Sequence, residues 1–335
     1  MTRTLFIAPQ WIGDAVMTEP LLRTLHRQGE QITVAALPWV APVYQHMDSV
    51  MQVHELPFVH GKLQWTARRA LGRQWRGLFD RAYVAPNSFK SALVPWMAGI
   101  PERIGYHGES RYGVLTKRIP NPDPDRHPPM VAFYLGLANG SGRDMGGMRP
   151  VLQRPTEVVR ETLQAYGLRA GGYTVIAPGA EYGPAKMWPV RHVAALCQWA
   201  GNPVVLLASA KERELCASIV DSALGAQVHN LAGITSLGQA LDLISAARDM
   251  VSNDSGLMHV AAALGVPQVA VFGSSSPRHT PPLSDKAHVI WLADDPHYLP
   301  VLDCAPCFER TCRFGHTRCL NDIQPERVAQ LLQSL

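Results

Sequence analysis

The chain has 335 residues, 47% hydrophobic and 17% charged, which is enough apolar material for two cores of about 150 residues each. It has no run of 18 apolar residues, and its first apolar run, Leu5–Ala8, is too short for a signal peptide, so we expect a cytosolic protein without a membrane span. Residues 1–150 carry 17 Lys and Arg against 11 Asp and Glu, a net charge of +6, whereas the remainder carries 14 against 16, a net charge of −2.

This uneven charge predicts an anionic partner for the first half, and ordinary surface charge is the alternative. Nucleic acid is not expected as that partner, because the chain has no basic tract with interleaved aromatic residues.

Short apolar runs alternate with helical patterns along the chain, as is typical of parallel α/β units. In the first half, strands are predicted at Thr4–Ala8, Ile32–Leu37, Val50–Glu55 and Arg81–Pro86. Helices are predicted there at Asp14–Arg27, Lys62–Phe79, Ser88–Ala98 and Met130–Leu137. Residues 139–155 are rich in Gly and Pro and predict a linker or mobile loop, after which the pattern restarts.

In the second half, strands are predicted at Tyr173–Ala177, Val204–Ala208, Val228–Leu231, Asp249–Ser252 and Gln268–Phe272. Helices are predicted at Thr156–Tyr166, Pro189–Ala200, Ala210–Leu224, Leu237–Ala247 and Ser255–Leu264. Neither half carries Gly-x-Gly-x-x-Gly after its first strand, which disfavours a dinucleotide-dependent oxidoreductase. The fold class predicted is α/β, with two Rossmann-like, doubly wound domains at residues 1–150 and 151–335 facing across a cleft.

The loop after the first strand, residues 9–14 (PQWIGD), is the first candidate to carry a catalytic residue. Gly13 permits a tight turn, and Asp14 opens the next helix. One interpretation makes Asp14 a helix N-cap, and the other makes it a general base. A weak base is sufficient when the attacked centre already has cationic character and the hydroxyl loses its proton late.

The loop at residues 178–189 (PGAEYGPAKMWP) follows the first strand of the second half. Its glycines leave backbone N–H groups available, and Lys186 offers a point charge for a diphosphate. An ordinary connection between a strand and a helix is the alternative.

Two further loops place polar groups near this one in the predicted sheet. Residues 252–259 (SNDSGLMH) lead into a helix whose N-terminus favours an anion, although Asp254 or Ser255 capping that helix is the alternative. Ser274 and Ser275 follow the next strand and add hydroxyl groups. His259, one turn into the helix, is predicted to face the same ligand.

Four segments together resemble glycosyltransferase family 9, the lipopolysaccharide heptosyltransferases. They are residues 8–14 (APQWIGD), 83–95 (YVAPNSFKSALVP), 178–189 and 253–264 (NDSGLMHVAAAL). The resemblance spans nearly the whole chain and implies the GT-B fold with the active site between the domains. It implies that the first domain binds the acceptor and the second binds ADP-heptose.

The activity implied is one inverting displacement that moves L-glycero-D-manno-heptose from ADP-heptose to heptosyl-Kdo2-lipid A, with no cofactor. Asp14 matches the family's proposed base, Lys186 its phosphate-binding lysine and Glu212 its ribose-binding acid. The other donor-binding residues implied are Gly179, Ala180, Glu181, Asp254, Ser255, Gly256, His259, Ser274 and Ser275. Transfer to a different core acceptor, and ADP-sugar binding without catalysis, remain alternatives.

The acceptor is implied to be anionic and lipid-anchored, and basic residues of the first half are candidates to bind it. Its carboxylate or phosphate groups are predicted to meet Lys90, Arg103 and Arg111, with Gly13 and Asn87 beside them. Solvated loop charges are the alternative.

No catalytic metal is expected. Asp123-Pro124-Asp125 matches an Asp-x-Asp metal motif by letter only, since no strand precedes it. Cys304, Cys307, Cys312 and Cys319 have spacings that fit either a structural metal site or reduced thiols in a local core.

The helix predicted at Lys62–Phe79 has an apolar stripe and a basic remainder. The stripe is formed by Leu63, Ala67, Leu71, Trp75 and Leu78, and off it lie Arg68, Arg69, Arg73 and Arg76. A core-facing helix with a basic solvent side is one interpretation. The other is peripheral contact with anionic lipid at the cytoplasmic face of the inner membrane.

Overall fold

The protein is described by a computed structural model covering residues 1–59, 61–122, 127–140 and 147–335. The chain forms two compact units, Met1–Val151 and Leu152–Leu335. Part of the predicted linker, residues 141–146, lies outside the described residues, as does the Asp123–Asp125 motif. No described helix combines the length and the apolar character needed to cross a membrane.

The first unit contains a parallel sheet of six strands in the order β3-β2-β1-β4-β5-β6. The strands are β1 Thr2–Ile7, β2 Glu30–Ala36, β3 Val50–Glu55, β4 Arg81–Val84, β5 Glu102–Tyr106 and β6 Lys117–Ile119. The first four agree with the prediction to within two residues at either end. The strands β5 and β6 were not predicted, because short strands rich in charged residues near a sheet edge lack the apolar run that marks a central strand.

The helices of this unit are α1 Ile12–Met17, α2 Glu19–Arg27, α3 Ala41–Tyr44, α4 Trp65–Gln74, α5 Leu93–Met97 and α6 Met130–Asn139. One helix predicted over residues 14–27 is therefore two. Pro20 sits in the first turn of α2, where its missing N–H is tolerated, and Thr18 ends α1 with its hydroxyl bonded to the Ala15 carbonyl at 2.7 Å.

The predicted solvent exposure of the Arg68 side chain in α4 is wrong. This side chain was placed on the solvent side, but the residue is only 6% exposed. Its guanidinium lies 4.1 Å from the centre of the Phe58 ring and donates to the carbonyls of Leu63 and Lys90. A long side chain can bury its stem and still satisfy its charged head with carbonyl oxygens, which a pattern of residue types does not reveal.

The second unit repeats the same topology. Its strands are β7 Thr174–Ala177, β8 Val204–Leu206, β9 Val228–Asn230, β10 Asp249–Asn253, β11 Gln268–Phe272 and β12 Ala287–Trp291. All are parallel, in the order β9-β8-β7-β10-β11-β12. The helices are α7 Thr156–Ala165, α8 Val190–Trp199, α9 Arg213–Ser222, α10 Leu237–Ser245, α11 Gly256–Ala263, α12 Arg318–Asn321 and α13 Pro325–Gln333.

Both sheets have the strand order 3-2-1-4-5-6 of a Rossmann fold, which confirms the predicted class. In such a sheet the order reverses between the first and fourth strands, and ligands bind beyond the carboxyl ends of those strands. The switch points are therefore the ends of β1 and β4 in the first unit and of β7 and β10 in the second. The loops singled out in the sequence follow these strands, except that Ser274 and Ser275 follow the neighbouring strand β11.

Candidate functional site

Asp14 lies beyond β1 and is the third residue of α1. Trp11 occupies the N-cap position of that helix, so the interpretation of Asp14 as an N-cap is wrong. The Asp14 side chain is half-buried, and Oδ1 accepts a hydrogen bond of 2.8 Å from the hydroxyl of Tyr134 in α6. The first unit thus holds a carboxylate at its switch point in a fixed orientation, which is what a proton acceptor requires.

Tyr134 was missed in the sequence. It is 120 residues from Asp14 along the chain and lies in a uniformly apolar helix, so no local pattern distinguishes it from a core residue. The residue is 4% exposed, and burial together with the neighbouring Asp14 raises its pKa well above the ordinary value. The phenol is therefore protonated and acts as a hydrogen-bond donor at neutral pH.

The second loop at this switch point follows β4 and contains Asn87 and Lys90. Arg111 supports this loop. Its guanidinium donates to the Pro86 carbonyl at 2.7 Å, to Asn87 Oδ1 at 3.2 Å and to the Tyr106 carbonyl. Arg111 is 1% exposed, and burial lowers its pKa to about 10. A guanidinium held in this way fixes the position of the loop, and it is too buried to contact an acceptor substrate.

Arg103 is also engaged within its own unit. Its guanidinium donates to the carbonyls of Val114, at 2.7 Å, and Ile100. Burial of Arg111 against backbone carbonyls corrects its predicted direct contact with an anionic acceptor to a supporting role. The predicted contact of Arg103, which is half-buried, remains a prediction. Asn87 is exposed and Lys90 is half-buried, so these two remain candidates for contact with a ligand.

In the second unit, Lys186 and Asp254 form an ion pair at the ends of β7 and β10. Lys186 Nζ lies 2.5 Å from Asp254 Oδ2, and the two side chains are 17% and 5% exposed. The ammonium also lies 4.9 Å from the centre of the Tyr182 ring, and Thr280 donates to Asp254 Oδ1 at 3.3 Å. Asp254 does not cap α11, whose N-cap is Ser255.

Asn253 fixes the loop that carries Lys186. Its side-chain amide donates to the carbonyl of Pro178 at 2.6 Å, and its Oδ1 accepts from the backbone N–H of Trp188 at 3.0 Å. The residue is 2% exposed. One buried amide thus binds both ends of the loop, which holds the lysine at the carboxyl edge of the sheet.

Four serine hydroxyls around the start of α11 are buried without a partner among the described residues. They belong to Ser252, Ser255, Ser274 and Ser275. The side chain of Ser255 makes no capping hydrogen bond, so it does not satisfy the first N–H groups of α11. Unpartnered buried donors are costly, and a polar ligand removes that cost by accepting from them. Together with Lys186, they form a site suited to phosphate oxygens.

His259 lies in α11 beneath this site and is 5% exposed. Burial lowers its pKa to about 4, against the opposing effect of Asp254, so the imidazole is neutral at physiological pH. His259 is therefore a neutral polar residue close to Asp254 and Lys186, and its predicted contact with the donor remains a prediction.

Gly179 and Glu212 approach each other closely. A Cβ atom at position 179 would lie 1.8 Å from Glu212 Oε1, so any larger residue there would force the Glu212 side chain to move. Glu212 Oε2 accepts from the backbone N–H and the hydroxyl of Ser209, both at 2.8 Å, which forms a capping box. Glu181 lies on the surface of the same loop, in an exposed ion pair with Lys211.

The four clustered cysteines are unpaired thiols that line one small cavity together with Ala185 and Ser274. Within the described part of the chain, no group of three or more His, Cys, Asp and Glu side chains is arranged to hold a metal ion. Burial, and then the neighbouring cysteines, raise the pKa of Cys319 to about 11.

The segment that carries these cysteines, residues 304–319, packs against the loops that follow β7 and β11. The backbone N–H of Ala185 donates to the Arg310 carbonyl at 3.1 Å, and that of Phe308 donates to the Ser274 carbonyl at 2.8 Å. A Cβ atom at Gly183 would lie 2.5 Å from the Arg310 carbonyl oxygen, so the loop and the segment fit only with glycine there. The segment therefore supports the backbone beside Lys186.

Known proteins resemble this chain over most of its length. The family model described as Glycosyltransferase family 9 (heptosyltransferase) matches residues 68–318. Lipopolysaccharide heptosyltransferase 2 of Escherichia coli (strain K12) is 41% identical over 99% of this chain and 98% of its own length. Lipooligosaccharide heptosyltransferase 2 of Haemophilus ducreyi is 36% identical over 99% of both chains.

A similar fold is found in the solved structure of ADP-heptose LPS heptosyltransferase II from E. coli. The two structures superpose with a TM-score of 0.83 at 38% sequence identity, covering 99% of this chain and 98% of the other. The similarity thus extends over both units and is accompanied by sequence identity along the whole chain.

Proposed function

The chain belongs to glycosyltransferase family 9 and is a heptosyltransferase, and on this premise we propose that it transfers heptose from ADP-heptose to the heptosyl-Kdo2-lipid A inner core of lipopolysaccharide. The observation that carries the proposal is the placement of Asp14 and Lys186, each beyond the switch-point strands of its own sheet. A base for the acceptor and a cation for the leaving diphosphate are the two groups that this displacement needs.

The second unit, residues 151–335, is proposed to bind the donor. Lys186 and the N-terminus of α11 face the diphosphate, and the unpartnered hydroxyls of Ser255, Ser274 and Ser275 donate to its oxygens. Gly179, Ala180 and Glu181 supply loop backbone, with Gly256 at the helix start. Glu212 accepts hydrogen bonds from the ribose hydroxyls. Asp254 holds Lys186 until the negative charge of the ligand competes for it.

The first unit, residues 1–150, is proposed to bind the acceptor, with Gly13 shaping the turn and Asn87 and Lys90 contacting the anionic sugar. The acceptor hydroxyl attacks the anomeric carbon of the donor and gives its proton to Asp14. The bond from that carbon to the phosphate oxygen breaks, and ADP leaves with the electron pair. Lys186 offsets the charge that develops on the leaving oxygen, and the anomeric configuration is inverted.

A transfer assay with ADP-heptose and defined core acceptors tests this proposal. Asp14→Asn keeps the shape of the side chain but cannot take up the proton, so kcat is expected to fall by about 10²- to 10⁴-fold. The affinity for ADP should stay within twofold, since Asp14 belongs to the acceptor unit. Unchanged turnover in Asp14→Asn would contradict the role of Asp14. Turnover only with another acceptor would contradict the proposed specificity.

We also propose that the face formed by α4 and α5 contacts anionic lipid beside the anchored acceptor. Leu63, Trp65 and Trp96 are 49%, 45% and 41% exposed, and the two indole rings lie 6.4 Å apart. The exposed cations on α4 and next to it are Lys62, Arg69, Arg73 and Arg76. Exposed tryptophan beside arginine suits the boundary between lipid headgroups and acyl chains.

Liposome flotation tests this contact. Binding to vesicles with anionic lipid is expected at low salt and should be lost in Trp65→Ser/Trp96→Ser. Trp199→Ser removes a tryptophan of similar exposure, 46%, from the second unit and serves as the control. Equal binding of all variants, or equal binding to neutral vesicles, would contradict the proposal.

A further inference from the structure

We propose that Tyr134 is a positioning residue for the transfer reaction, which fixes the Asp14 carboxylate and stabilises its ionised form. This inference rests on the proposed role of Asp14 as the base. It assigns a function to a residue that is 4% exposed and that no sequence motif identifies.

The geometry leaves the Tyr134 hydroxyl little freedom. Helices α1 and α6 pack against each other, and the hydroxyl reaches Asp14 Oδ1 at 2.8 Å. The ring meets the neighbouring Phe133 edge-on, at 5.5 Å and 82°, and Phe133 in turn stacks on Tyr106 at 4.3 Å. A side chain that is 4% exposed and packed in this way holds its hydrogen bond in one orientation.

The ionisable groups near Asp14 determine how much a hydrogen-bond donor to its carboxylate stabilises the ionised form. From α3, the Tyr44 phenol lies near Asp14, fully buried and hydrogen-bonded with the Thr18 hydroxyl. From α2, the ionisable residues are Glu19, Arg23, His26 and Arg27, and the Glu19 carboxylate is paired with Arg23 at 3.4 Å. Tyr106 lies behind Tyr134. Tyr134 thus places a directed hydrogen bond on a partly buried carboxylate.

A hydrogen bond to the charged form of a carboxylate favours that form. A carboxylate has about four lone-pair sites, so accepting one bond from Tyr134 is compatible with receiving the acceptor's proton. The tyrosine keeps its own proton throughout, because burial and the adjacent carboxylate disfavour a phenolate. Its contribution is therefore orientation and electrostatic support rather than proton transfer.

The experiment is the pH dependence of kcat, from about pH 3 to 9 so that the titration of a carboxylate falls within the range, for the wild type, Tyr134→Phe and Tyr106→Phe. Tyr106→Phe is the matched control, because it also removes a buried phenol hydroxyl, whose partner is the Phe133 carbonyl rather than Asp14. For Tyr134→Phe, the acid-side loss of kcat is expected to move to higher pH by about one unit. Its plateau kcat should fall about tenfold, with both KM values within twofold of wild type. Tyr106→Phe should keep the wild-type profile.

Incorporation of 3-fluorotyrosine at position 134 adds a measurement that does not depend on removing the hydroxyl. The ring and its packing are kept, while the more acidic phenol donates a stronger hydrogen bond. The acid-side loss of kcat is then expected at lower pH than in the wild type. Opposite shifts in the Phe and fluorotyrosine proteins would establish the positioning role, which a purely structural contact would not produce.

Asp14→Asn in the same assay separates the two proposals. If Asp14→Asn is inactive while Tyr134→Phe has the profile and plateau of Tyr106→Phe, the positioning role is wrong and the base remains. If Asp14→Asn turns over normally, the base assignment fails and the role of Tyr134 fails with it.

Discussion

Gly179→Ala is the substitution with the sharpest expected consequence in the second unit. The added Cβ would lie 1.8 Å from Glu212 Oε1 and 2.2 Å from its Cδ, far inside the separation that two such atoms tolerate. The clash is with the end of a flexible side chain, so the carboxylate will swing away rather than the backbone yield. Glu212 then loses its place without being mutated itself.

The magnitude follows from the bonds that this movement breaks. Glu212 Oε2 accepts two hydrogen bonds from Ser209 in the capping box, and loss of such a cap costs about 1 kcal/mol of stability. The proposed bond from the ribose to this carboxylate is a hydrogen bond to a charged group, worth about 1.5–3 kcal/mol. The dissociation constant of ADP is therefore expected to rise by about 10- to 100-fold.

Calorimetric titration with ADP and chemical unfolding measure the two effects. The control is a double-mutant cycle with Glu212→Ala, which removes the atoms that the new Cβ would meet. In that background Gly179→Ala should change neither the ADP affinity nor the stability by more than about 0.5 kcal/mol. A matched glycine is Gly238, which like Gly179 has no positive φ but whose added Cβ would meet its nearest atom at 3.8 Å, so its replacement by alanine tests the substitution without a clash.

Two results would refute this reasoning. If Gly179→Ala binds ADP like the wild type, Glu212 either tolerates displacement or does not hold the ribose. If the loss of affinity is the same with and without Glu212, the alanine acts on the loop directly, and the close approach of these two residues is not its cause.

Asp242→Asn should destabilise the protein by about 3–5 kcal/mol in urea unfolding, because Arg154, 2.6 Å from Asp242 and also buried, is left as an uncompensated charge; a loss under 1 kcal/mol would contradict this. His259 is neutral in the folded protein, but below pH 6.5 it takes up a proton when the protein unfolds. Its contribution to the free energy of unfolding is about 3 kcal/mol, which is present above pH 6.5 and is lost as the pH falls towards 4. His259→Gln should flatten the pH dependence of the unfolding free energy between pH 6.5 and 4, and an unchanged slope would argue against it. Turnover is expected to be undiminished in excess EDTA, and its loss, restored by a divalent cation, would contradict a metal-independent displacement.

The central strands and the chemistry-bearing loops could be predicted from the sequence, since both depend on local signals. A strand buried on both faces is usually marked by an apolar run, as in β7 and β11, which are buried along their whole length. Loops that follow such runs lie at the carboxyl edge of a parallel sheet, so Asp14, Lys186 and Asp254 were found by position. Edge strands such as β6 were missed because their own composition does not mark them as strands. They become strands by hydrogen bonding to a neighbouring strand.

Interactions between distant segments were decided only by the tertiary structure. The sequence supplied Asp14, but not Tyr134, whose hydroxyl reaches it from 120 residues away. The sequence also identified Arg111 as a candidate cation for an anionic ligand. Folding buries its guanidinium against backbone carbonyls, so that it supports the loop instead. Residue type and local pattern determine which groups a loop carries; which of them are buried, paired or displayed depends on neighbours that the chain brings together only when it folds.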